Sequence, residues 1–72
     1  MRNPSPKEVK DIYKYCYLFF EKYKDAKKES EFNAMLDEAK KLQALYPFKM
    51  CETMLFEIIN TIGSYEEVKN EL

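Results

Sequence analysis

From Val9 onward the apolar residues return at intervals of three and four: Val9, Ile12, Tyr13, Cys16, Phe19, Phe20 and Tyr23. At about 100° per residue these positions share one side of a helix. Its start is marked too. Ser5-Pro6-Lys7-Glu8 places serine at the N-cap, proline at the first helical position and glutamate three residues past the cap. That is a capping box, in which side chains satisfy backbone N–H groups that the helix leaves unpaired. The pattern predicts a first helix over residues 6–27, fading between Asp25 and Lys28, where lysines suit the negative end of the helix dipole.

A second stripe, Phe32, Met35, Leu36, Ala39, Leu42 and Tyr46, predicts a helix over 31–46. Ser30 is its expected N-cap, with Glu29 and Glu31 beside the positive end. Pro47 ends it, because the residue before a proline is pushed out of helical geometry. A third stripe, Cys51, Met54, Leu55, Ile58, Ile59 and Ile62, predicts a helix over 48–62. Gly63 then suits a left-handed position just past the helix end. Ser64-Tyr65-Glu66-Glu67 would cap a short fourth helix over 65–70. The alternative is a third helix that continues through Gly63 with a kink. The expected fold class is all-α: a small antiparallel three-helix bundle with a short C-terminal fourth helix.

Composition fits this picture. Seventy-two residues make one domain, 1–72, because a second core could not be built from what remains. Hydrophobic residues at 46% and charged residues at 35% give a globular balance. One glycine and three prolines leave few turns, which favours long helices over strands. The longest apolar run, Tyr15 to Phe20, falls far short of the ~20 residues a membrane helix needs. The first residues, Met-Arg-Asn-Pro-Ser-Pro, lack the apolar centre of a signal peptide, so a cytoplasmic location is expected. Two cysteines suit a reducing compartment. Both lie on apolar stripes, so buried, reduced thiols are expected in preference to a bridge between the first and third helices. Many Lys, Glu, Tyr and Ile, a single Arg, no His and no Trp are what AT-rich coding sequence yields. A low-GC bacterium, or a phage or mobile element of one, is the expected source, and the chain looks like the small accessory proteins of such elements.

Candidate chemistry is sparse. Without histidine the chain lacks the commonest general base, the commonest metal ligand and the usual partner of a nucleophilic Cys or Ser. The paired carboxylates Asp37-Glu38 and Glu66-Glu67 are expected on solvent-facing positions, as ordinary surface charges. No glycine-rich loop is present to cradle phosphate. No catalytic residue, cofactor, metal site or small-molecule substrate is therefore expected, and the chain does not read as an enzyme.

Charge raises nucleic acid as an alternative. Residues 1–28 carry eight Lys or Arg against four Asp or Glu, while residues 29–72 carry four against nine. Lysines interleaved with tyrosines in the first helix could track phosphates and stack bases. Against this, most of those rings are required by the core. A recognition helix drawn from the third helix would also carry Glu52 and Glu57 toward the phosphates.

Several apolar residues fit no core. Leu18 lies roughly 160° from the centre of its stripe, among Asp11, Lys14, Glu21 and Asp25. Tyr15 and Tyr17 stand on the two shoulders, with Lys22 beside Tyr15 and Leu18. On the third helix Met50 and Phe56 lie off the main face. Apolar residues bordered by mobile charges resemble an interface centre and rim, and small cores commonly need a staple such as self-association. Tyr15, Tyr17, Leu18, Lys22, Met50 and Phe56 are thus the candidate interface. The expected function is a non-enzymatic protein–protein interaction module, forming a homodimer or binding another protein, in an accessory or host-modulating role on a bacterial mobile element or phage. The alternative is a nucleic-acid-binding accessory protein that uses the lysine-rich first helix.

Overall fold

The computed structural model describes the backbone of residues 3–71 and the side chains of residues 3–65. Three helices follow one another: α1 (Pro6–Tyr23), α2 (Glu29–Leu45) and α3 (Lys49–Glu71). The described residues contain no strand. Each helix packs on the other two, giving the antiparallel three-helix bundle that the stripes predict.

The start of α1 is the predicted capping box. The Ser5 hydroxyl accepts from the Glu8 N–H at 3.2 Å, and the Ser5 N–H donates to Glu8 Oε1 at 2.9 Å. Its end comes earlier than residue 27. Lys24 is the C-cap, its N–H donating to the Phe20 carbonyl at 2.8 Å, and the chain then turns so that Ala26 is buried. The Ala26 N–H donates to the Tyr23 carbonyl at 2.9 Å, and the following helix takes two more N–H groups: Glu31 Oε1 accepts from Lys27 at 3.3 Å and from Lys28 at 3.0 Å. A carboxylate holding two backbone donors is a charge-assisted cap. Accordingly Lys28, not Ser30, stands at the N-cap of α2, with no side-chain acceptor of its own. The same two hydrogen bonds, Lys28 first, hold the Glu31 carboxyl below its usual range.

Pro47 ends α2 as predicted. Tyr46 is the C-cap, its N–H donating to the Leu42 carbonyl at 2.9 Å, and Phe48 turns inward to start α3. The third helix does not stop at Gly63. No glycine has positive φ, and the Ser64 hydroxyl, expected as a cap, donates instead to the Asn60 carbonyl at 3.0 Å inside the helix. Residues 65–70 therefore continue α3 and form no separate fourth helix.

The core is one cluster. Ile12, Cys16, Phe19 and Tyr23 come from α1, Met35 and Ala39 from α2, and Phe48, Cys51, Leu55 and Ile62 from the start and face of α3. Phe20, Phe32, Leu42, Tyr46, Met54, Ile58 and Ile59 pack against it half-buried. Two residues assigned to core stripes lie outside. Tyr13 is 59% exposed and Leu36 44% exposed. Each stands one residue past a fully buried position, about 80–90° from the buried line of its helix, and two neighbouring helices cover a narrower arc than that.

Gly63 offers a direct check on α3. A Cβ there would meet nothing within 4 Å, and alanine is favoured over glycine in a helix interior by about 0.8–1 kcal/mol. Gly63→Ala should therefore stabilise the protein by up to roughly that amount in urea unfolding. A clear loss of stability would place Gly63 in the left-handed conformation of a helix end.

Candidate interaction surface

α1 and α2 enclose a groove whose cavity volume is about 240 Å³. Tyr15, Leu18 and Lys22 form the α1 wall, Glu38 and Leu42 the α2 wall, and Phe19 reaches in from the core. The helical phase of α1 explains the α1 wall: residues 15, 18 and 22 follow one another at three and four, on the flank of the Ile12–Cys16–Phe19 line that faces α2. Leu18 is 49% exposed although Phe19 beside it is fully buried.

Both ends of the groove are tied down. Tyr15 stacks on Tyr46, ring centroids 6.1 Å apart and planes 27° from parallel. This contact leaves Tyr15 39% exposed, so it serves the fold as well as the surface. Toward the other end Lys22 Nζ donates to Glu38 Oε1 at 3.2 Å and lies 5.3 Å from the centroid of the Tyr23 ring. The Glu38 hydrogen bond, then its charge, raises the Lys22 pKa. Burial pushes the Glu38 carboxyl up, but the Tyr23 hydroxyl and the Lys22 ammonium together outweigh it and hold the group below its ordinary value. Lys22 is thus paired at the rim, in an exposed ion pair that holds it only weakly.

The other candidate residues separate. Phe56 is 62% exposed and lines a different groove, between α2 and α3, with Leu36, Lys40 and Glu52. Met50 is half-buried and packs against the core. Tyr17 is exposed on the opposite flank of α1 from Leu18 and lines neither groove. Leu36 was the residue missed as a surface position. Its step of one from Met35, the same step that separates Tyr13 from Ile12, was the available signal.

The chemistry-bearing groups of the interior are the two thiols. Cys16 and Cys51 are free, buried and neighbours across the α1–α3 contact. Burial, followed by the neighbouring Cys51, pushes the Cys16 thiol up to about 11, and burial raises Cys51 as well. At neutral pH both are thiols, which are poor nucleophiles and poor metal ligands. Among the described residues no three His, Cys, Asp or Glu side chains converge on a common point, and no helix is long and apolar enough to cross a membrane. No protein-family model, curated protein or solved structure matches the chain, so the functional reading rests on this surface.

The raised Cys16 pKa has a consequence for stability. The unfolded thiol ionises near its ordinary 9.0, whereas the folded one holds its proton to about 11. The contribution is complete below pH 9 and is lost as pH rises toward 11. Melting temperature should fall across that window, and Cys16→Ala, although less stable at pH 7, should show a shallower fall. Equal slopes for the two proteins would remove Cys16 as a source of the pH dependence.

Proposed function

We propose that the protein is a non-enzymatic helical interaction module that works by contact, binding another protein or a second copy of itself. The observation that carries this reading is Leu18: half-exposed, at the open side of a groove with Phe19 and Leu42 within it, and flanked by an aromatic stack and an ion pair. Rigid apolar groups inside a charged rim are what interface centres are made of. The groove is sized for one or two apolar side chains of a partner.

Nucleic acid is the weaker reading. The lysines of α1 and its C-cap that would track phosphates are partly engaged already: Lys7 with Asp11 at 3.5 Å, Lys22 with Glu38 at 3.2 Å and Lys24 with Glu21 at 3.2 Å. Each carboxylate places a negative charge where a phosphate would have to come. The residue usage, typical of AT-rich coding sequence, supports an origin in a low-GC bacterium or one of its mobile elements, and an accessory or host-modulating role there is the setting proposed for the module.

A photo-crosslinking residue at position 18, compared with one at Lys14 on the outer face of α1, tests the reading in cells that naturally carry the protein. Position 18 should give discrete protein adducts that position 14 does not. Adducts to RNA or DNA, or equal labelling from the two positions, would overturn it.

A further inference from the structure

Both grooves carry opposite charges on their two walls, but in the α1–α2 groove the two are paired with each other, whereas in the α2–α3 groove they are not. Lys40 stands on the α2 wall and Glu52 on the α3 wall. Between them the surface is apolar. Ala39 and Leu55 form a buried floor, Ile59 lies half-buried, and Leu36 and Phe56 rise from opposite walls. The volume is about 270 Å³, and the groove is open along its length.

A two-fold interface must be complementary to itself, because every contact made by residue i with residue j is repeated by j with i. An axis running along this groove lays α2 of each copy on α3 of the other. The arrangement brings Lys40 of each copy toward Glu52 of its mate, so the charge pair forms twice. Phe56 of each copy is set against the Leu36 wall of the other. An axis across the groove would stack α2 on α2 and oppose Lys40 to Lys40. Charge therefore selects one geometry as well as one partner. Glu52 is available for it, since its contact within the chain, to Lys49, is long at 3.9 Å and exposed. Leu36 and Phe56 are large apolar residues that folding of the single chain leaves uncovered.

We propose that this groove is a two-fold dimer face whose occupant is a second copy of the same chain, with Phe56 and Leu36 at its centre and reciprocal Lys40–Glu52 pairs at its rim. This extends the contact-module reading to a second surface and does not use Leu18.

Sedimentation equilibrium of the full chain over roughly 1–100 μM, where small interfaces dissociate, should show a monomer–dimer equilibrium. Phe56→Glu should abolish the dimer without reducing the helical circular dichroism, because Phe56 is exposed in the single chain. Lys40→Glu and Glu52→Lys should each weaken dimerisation by about tenfold or more, since each change is felt at two symmetric sites. Combining them reverses both charges and should restore affinity to within a few fold of wild type. A wild-type protein that stays monomeric throughout, or a double swap no tighter than the single ones, would overturn the proposal. So would a dimer that survives Phe56→Glu and is lost with Leu18→Lys, an outcome that moves self-association to the α1–α2 groove. A monomeric wild type would leave the cross-linking result at position 18 standing, so the two readings fail separately.

Discussion

One line of side chains on α1, Ile12, Cys16, Phe19 and Tyr23, faces α2 and α3 together, and the other two helices are held in place through it. The line is narrow because it must serve two neighbours at once. A buried side chain the size of Ile or Met contributes about 2–5 kcal/mol when judged by its truncation. The whole stability of a domain this small is roughly 4–11 kcal/mol. Two positions on this line thus represent most of the margin, and each face of the bundle depends on the same few residues.

The thiols follow from that narrowness. Cys16 and Cys51 sit where α1 and α3 come together, and both are fully buried. A thiol is a small apolar group there, able to pack where Leu or Met would force the helices apart. The raised pKa of both thiols comes from the same burial that makes them useful for packing, so inertness and structural role have one cause.

Local chemistry was legible where it was local. The Ser5–Glu8 box, the stop at Pro47 and the period of each stripe depend on residues close in sequence, and all appear in the fold. The end of α1 was not legible, because residues 24–28 are acceptable in a helix. What ends it is tertiary: Ala26 is drawn into the core, and Glu31 reaches back to the Lys27 and Lys28 N–H groups. Gly63 misled for the opposite reason, being a good cap in isolation but lying in a helix that continues. For the surface, helical phase correctly put Leu18 and Phe56 outside. It gave the centre of each buried arc but not its width, and so assigned Tyr13 and Leu36 inward. Nor could phase foresee that Tyr15 stacks on Tyr46 from another helix, or that Lys22 is bound to Glu38.

The internal ion pairs also change how the lopsided charge of the chain should be understood. By sequence, a basic first third precedes an acidic remainder, which suggests long-range attraction between one copy and another, or toward a charged partner. In the fold Lys22 of α1 is paired with Glu38 of α2, while Lys7 and Lys24 are paired within their own segment. Of these pairs only Lys22–Glu38 joins the two parts and offsets the asymmetry, and salt screens the remainder beyond about 8–10 Å. Recognition by this protein then depends less on its overall field than on contact-range features: an aromatic or branched side chain left outside a narrow core, and the particular charge standing beside it. On α1 that charge is already bound; at the α2–α3 groove Lys40 and Glu52 stand on opposite walls, where a second chain can reach both.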